Sequence, residues 1–187
     1  MRGKGRWVPV MVCFALVLAL PAWGQEGYEF MPKGGKTLLL QVLGSPPDMA
    51  ELSRIAATKH TEEEWSGALA AHKAALSDKE LRTLAAYLAV NMPLAEGVLE
   101  AAVKAGKIGD ALPPDGRELA WNQCQFCHSL FTGYLTQDRD LAAWQAEFQT
   151  PFHREITMTE QERETFSRYS AINMPMKIDD VPPELRF

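Results

Sequence analysis

Cysteine is scarce in this chain, with three residues in 187, and one of them, Cys13, lies inside an apolar run near the N-terminus. The other two, Cys124 and Cys127, fall within one five-residue motif, so no disulfide framework can be drawn. Basic residues are also outnumbered, 19 Lys and Arg against 24 Asp and Glu, for a net charge of −5. A surface of that sign repels phosphate backbones and anionic lipid, which are bound through clustered Lys and Arg. Nucleic acid is thereby excluded as a partner, and cationic protein surfaces fit better. The apolar run from Val8 to Leu20 is about 13 residues, short of the roughly 20 that a bilayer-spanning helix needs.

That run has the surroundings of an export signal. Arg2, Lys4 and Arg6 precede it, no acid interrupts it, and Ala22-Trp23-Gly24 offers a small-x-small cleavage site before Gln25. Residues 1–24 are therefore expected to be a signal peptide, with a retained membrane anchor as the alternative. Cleavage would remove those three cations and Cys13, taking the charge from −5 to −8. It would also deliver the chain to the periplasm, where membrane contact would come only through a partner or an uncleaved signal. Unprotected thiols tend to oxidise in such a compartment, so two retained cysteines need a use.

Hydrophobicity is ordinary for a globular chain at 47%. Residues 25–36, with Gly27, Pro32, Gly34 and Gly35, read as an extended arm. Leu38 to Leu43 is either a short strand or a buried helical turn. From Pro46-Pro47-Asp48 onward the periodicity is helical: Leu52, Ile55 and Ala56, then Trp65, Ala68, Leu69 and His72, each mark an apolar face. Ser77 and Glu80 have the spacing of a capping box, Leu81, Leu84, Ala85 and Leu88 form the stripe behind it, and Pro93 ends it.

A shift of 82 residues brings Ser77 onto Thr159, Glu80 onto Glu162, Leu84 onto Phe166, Tyr87 onto Tyr169, and Ala89-Val90-Asn91-Met92-Pro93 onto Ala171-Ile172-Asn173-Met174-Pro175. Trp65 and Trp144 precede these blocks at similar distances, and Pro46-Pro47-Asp48 echoes Pro113-Pro114-Asp115. The chain thus divides into 1–24, a first helical unit at 25–93, a linking helix at 94–112 and a second unit at 113–187. Only the second holds the cysteines.

Cys124-Gln125-Phe126-Cys127-His128 is C-x-x-C-H, the attachment sequence for c-type haem. Helical residues three apart share a side, so both sulfurs reach the two vinyl groups of one porphyrin and the histidine is aimed at the iron. A redox dithiol would need a βαβ context, and a zinc site two further ligands at recognisable spacing. The pattern offers neither. Trp65, Trp144, Tyr87 and Tyr169 read as core residues, and Glu62-Glu63-Glu64 as a solvated helix start.

From about residue 113 to 175 the chain resembles the class I c-type cytochromes, small periplasmic monohaem proteins. Cys124 to His128, a tryptophan-bearing helix around Trp144, and a last helix opened by Thr159-x-x-Glu162 and carrying Tyr169 match their order. The resemblance implies an all-α, cytochrome c-like domain, here preceded by a haemless helical unit of similar pattern, with one covalent haem c and His128 as an axial iron ligand. It also implies a sixth ligand, usually a methionine before the last helix, but residues 141–157 contain none. His153 stands in that stretch and would give paired histidines. Met158 matches the family's residue type, yet Leu76 occupies its place in the first unit. Met174 and Met176 follow the last helix, and Met92 is the haemless counterpart of Met174. His72 stands similarly before the first unit's helix, though at an unequal gap. Phe126, Leu130, Phe131, Trp144 and Phe166 are expected to wall the haem pocket. With both axial positions filled, the function implied is electron transfer, as carrier or subunit for a redox partner such as a periplasmic dehydrogenase or terminal oxidase. The alternatives are a haem enzyme or ligand sensor with an exchangeable sixth position, and an assembly subunit of a respiratory complex.

Overall fold

A computed structural model describes residues 27–72 and 74–187, so the expected signal peptide lies outside the described residues. The fold is all-α, with no strand among these residues. In chain order the helices are α1 (Gly35–Leu43), α2 (Met49–Ala56), α3 (Glu62–Ala68), α4 (Asp78–Asn91), α5 (Val98–Ala105), α6 (Ile108–Ala111), α7 (Gly116–Cys124), α8 (Leu141–Glu147), α9 (Pro151–Arg154) and α10 (Glu160–Asn173). A 3₁₀ turn at Leu69–His72 follows α3, and a π-helical turn at Phe131–Leu135 precedes α8.

The two long helices start and stop as their sequences dictate. Ser77 accepts from the Glu80 amide while Glu80 accepts from the Ser77 amide at 2.9 Å, and Thr159 and Glu162 repeat the exchange at 2.7 Å. The prolines after Met92 and Met174 cannot extend either helix, and α4 and α10 end one residue before those methionines.

These helices pack on each other through a reciprocal pair of contacts. Asn91 donates through Nδ2 to Thr165 Oγ1 at 3.0 Å, and Asn173 donates to Thr83 Oγ1, also at 3.0 Å. Each asparagine also donates to the carbonyl four residues earlier, of Tyr87 and Tyr169 respectively, at 2.9 Å. All four side chains are buried, so their polar groups need these partners. The repeat is therefore a pseudo-twofold pairing across the α4–α10 contact.

The same relation makes α7 the counterpart of α1. Tyr87 donates its hydroxyl to the Pro113 carbonyl at 2.8 Å, and Tyr169 donates to that of Pro32 at 2.6 Å. Gly35 and Gly116 each sit where an added Cβ would lie 2.1 Å from the Cβ of that tyrosine, so only glycine permits the crossing. Pro113-Pro114-Asp115 thus matches Pro32-Lys33-Gly34, not Pro46-Pro47-Asp48 as the sequence echo suggested; Asp48 caps α2. Asp115 serves both units. Its Oδ1 accepts from the Arg117 and Glu118 amides at 3.1 Å, and its Oδ2 accepts from Thr37 at the start of α1, at 3.5 Å. Its carboxyl lies against Gly34, which has no side chain to cap α1 itself. Burial pushes the Asp115 carboxyl above the usual carboxylate range.

Each unit has its own apolar core, and each core takes a residue from the other side of the boundary. Leu112 packs into the first core, while Tyr28 and Met31, 6% and 2% exposed, pack into the second. The expected free arm is instead a strap. Tyr28 and Phe30 meet the Trp121 ring edge-on at centroid distances of 5.8 and 6.4 Å, and Arg117 covers Tyr28. The stretch at 38–43 is α1, settling the strand-or-helix ambiguity. The expected single linking helix is two short ones, because Gly106 at φ 68° closes α5. No helix among the described residues is long and apolar enough to cross a membrane.

Candidate functional site

Helix α7 delivers Cys124 at its last helical position, with Leu119 and Ala120 anchoring the preceding turn in the second core. Gln125 to Cys127 then form a turn and His128 a bend, so the motif leaves the helix after its first cysteine instead of riding on it. Gln125 Nε2 tightens this exit by donating to the Trp121 carbonyl at 2.7 Å. Both cysteines are free thiols, Cys124 half-buried and Cys127 exposed. Burial pushes the Cys124 thiol up to about 12, far from the depressed values that activate a redox dithiol.

Where the first unit runs from α1 through a short loop into α2, the second runs through the motif into the π-helical turn. There the His128 ring lies flat enough against the backbone that a Cβ on Gly133 would stand 2.1 Å from its Cε1 and Nδ1. His128 Nδ1 is 3.2 Å from the Ser129 carbonyl, which can only accept, so this contact places the proton on Nδ1 and leaves Nε2 as the lone-pair nitrogen. π-helical turns recur at functional sites.

Cys124, Cys127 and His128 all line a cavity of about 570 Å³, within the roughly 300–1,000 Å³ of ordinary ligand pockets. Its apolar wall comes from Tyr134, Trp144, Phe148, Ile156, Met158 and Phe166. The aromatic rings interlock, with centroid distances of 5.4 Å for Tyr134–Phe166, 5.5 Å for Phe148–Phe166 and 5.8 Å for Trp144–Phe166. The Tyr134 hydroxyl is shared with Ser170 Oγ at 2.9 Å, and burial holds its phenol well above the usual tyrosine range.

The cavity also contains a polar cluster of His128, His153, Glu147 and Arg139. The two imidazole centroids are 6.2 Å apart with planes at 67°. His153 Nδ1 lies 2.9 Å from Glu147 Oε2, and Arg139 pairs with the other oxygen of the same carboxylate. Burial, with smaller contributions from His128 and Arg139, lowers the His153 pKa, against the opposing pull of the Glu147 carboxylate at 2.9 Å.

Compared with protein-family models, curated proteins and solved structures, the chain has no significant match. The site is therefore read from its own geometry.

Of the four sixth-ligand candidates, His153 and Met158 line the cavity with His128. Met174 and Met176 do not. Met174 is buried at the end of α10, as Met92 is at the end of α4, and the Met176 amide donates to the Leu135 carbonyl at 2.8 Å, as the Leu94 amide does to that of Ala56. His153 sits on α9, a single helical turn begun by Pro151, and not in an open loop.

Of the residues expected to wall a haem pocket, Trp144 and Phe166 line this cavity, while Phe126 is 76% exposed and lines another part of the surface. Leu130 and Phe131 pack in the second core without lining the cavity. Glu147, Arg139 and Gly133 escaped the sequence reading. The Glu147–His153 pair joins two helices across a turn at a spacing of no regular element, so nothing local announces it.

Proposed function

We propose that this chain is a periplasmic monohaem c-type cytochrome that passes single electrons between protein partners. The observation carrying this reading is that Cys124, Cys127 and His128 of C-x-x-C-H line a cavity of about 570 Å³ with one aromatic wall, where a second histidine ring stands 6.2 Å from the first. That separation suits one metal ion bonded to a nitrogen of each ring at about 2 Å. Among the described residues, no three or more His, Cys, Asp or Glu are grouped to hold a bare ion. The donor set thus favours a metal that arrives with ligands of its own, as in a porphyrin.

In this reading Cys124 and Cys127 would hold the porphyrin through two thioethers, each S–H adding across a vinyl double bond with no net oxidation or reduction. His128, seated on Gly133, would hold the iron as one protein ligand and His153 as the other, with Met158 as the neighbouring alternative. Haem, when bound, supplies an iron that cycles between ferric and ferrous and so takes up or returns one electron. Trp144, Phe148 and Phe166 exclude water from the iron's surroundings and favour the less charged, reduced form. The acidic surface steers the molecule toward a cationic face on a partner such as a periplasmic dehydrogenase or terminal oxidase, with an on-rate that falls as salt rises.

The test is export of the full-length protein in a host that matures c-type cytochromes, followed by haem staining after denaturation and near-infrared magnetic circular dichroism of the ferric form. Stain that survives denaturation and disappears in Cys124→Ala/Cys127→Ala is expected, together with a paired-histidine charge-transfer band. A methionine band would move the sixth ligand to Met158. High-spin iron that binds carbon monoxide at once would favour the enzyme or sensor reading, and a chain without covalent haem would end all of them.

A further inference from the structure

We infer that Glu147 is the positioning residue for the sixth iron ligand, holding His153 by its Nδ1–H so that Nε2 is the nitrogen presented to the metal. The inference rests on the haem reading above and adds to it a residue, a tautomer and a sign for the redox effect.

The geometry runs outward from the imidazole. Glu147 Oε2 accepts from His153 Nδ1 at 2.9 Å. A carboxylate can only accept, so the proton of the neutral ring stays on Nδ1 and the lone pair on Nε2. Glu147 is itself held. It is the last residue of α8, one turn beyond the buried Trp144, and its second oxygen pairs with Arg139. Arg139 in turn lies 5.3 Å over the Trp144 ring, and its Nη2 is 3.4 Å from Gln137 Oε1. Carboxylate–histidine–metal series of this form fix ring orientation and raise ligand basicity.

Two comparisons argue against an incidental surface ion pair. His128, the other axial candidate, has only a neutral backbone carbonyl at 3.2 Å, so the two imidazoles would be unequal donors. The first unit ends α3 on Ala68 where α8 ends on Glu147, so the carboxylate is missing from the matching position although the tryptophan one turn earlier is shared. Glu147 is thus not a feature the shared frame requires. A charged acceptor strengthens His153 toward ferric iron more than ferrous iron, and so lowers the potential.

The experiment uses matured, full-length wild type, Glu147→Gln and Glu147→Ala. Midpoint potential, the near-infrared spectrum and the rate at which carbon monoxide displaces the sixth ligand are measured, and the haem stain serves as a loading control. Glu147→Gln keeps an acceptor and loses the charge; it should remain low-spin with a higher potential. Glu147→Ala should release His153 more readily, with carbon monoxide binding about 10–100-fold faster, the usual scale for losing such a support. If Glu147→Ala fails to fold, Glu147→Gln alone decides through its potential. Unchanged potential and carbon monoxide rate in the variants would overturn the inference while leaving the cytochrome reading intact, as would a methionine band in the wild type. Absence of covalent haem from the wild type would remove both.

Discussion

Around its cavity the second unit places Cys124, Phe148, Met158 and Phe166; at the same four positions the first unit has Leu43, Leu69, Leu76 and Leu84, all buried in one apolar core with Trp65. The frame is common: a glycine crossing a tyrosine, a capped long helix, a tryptophan one turn before the end of a short helix, and an asparagine bonded to its partner's threonine. What differs is the segment between the first helix and that tryptophan. In the first unit it is α2, whose Leu52 and Ile55 fill the interior; in the second it is the motif and a π-helical turn, which bury Tyr134 and Leu135 but set His128 and Gly133 on the cavity wall. One half can therefore carry an open cavity without disturbing the surfaces that pair the two halves. The second half thus leaves Trp144, Phe148 and Phe166 bordering a cavity of about 570 Å³.

The largest effect should come from emptying the second unit. Cys124→Ala/Cys127→Ala, carried through the same export host, should lose the stain and melt in two steps, with near-ultraviolet dichroism from Trp144 lost before that from the first unit. A single unchanged transition would show that the cavity needs no occupant. Next, Leu76→Ala cuts a filled core and should cost about 2–5 kcal/mol in urea unfolding. Met158→Ala, its counterpart, already borders open space and should cost less than half as much in the haem-free variant. Equal losses would mean the second core is as well packed as the first.

At the shared interface, Asn91→Ala and Asn173→Ala each strand a buried threonine and an amide-bonded turn, and should each cost about 1–3 kcal/mol. Pseudo-twofold pairing predicts similar values for the two, measured by denaturant titration, and a large disparity would break the symmetry argument. The smallest effect, about 1–2 kcal/mol, is expected for Asp115→Ala, which removes the caps of α1 and α7 together. Hydrogen exchange should show fraying at the starts of both helices; fraying of α7 alone would leave the shared cap without effect.

The long helices, their caps and their stops were legible because capping boxes, apolar stripes and proline act over a single turn, as at Ser77–Glu80 and Thr159–Glu162. The C-x-x-C-H run was legible for the same reason, since it is five consecutive residues. The alignment of the units was only half legible. Pro46-Pro47-Asp48 looks like Pro113-Pro114-Asp115, yet Gly34 is the true counterpart of Asp115, because two carboxylates cannot both occupy the crowded spot where α1 and α7 begin. The strap at Tyr28 to Met31 was missed because glycine and proline signal a break in secondary structure and say nothing of where the chain goes next.

Sequence alone determined the all-α class, the duplicated pattern and the placement of Cys124, Cys127 and His128 in one motif, all properties set by neighbours within a few residues. Tertiary structure decided which candidates meet that motif. It brought His153 and Met158 to the cavity, kept Met174 and Met176 away, and set Glu147 and Arg139 behind His153. Those choices depend on side chains that come together only when α7, α8, α9 and α10 close around one space, and such closure leaves no mark on local spacing.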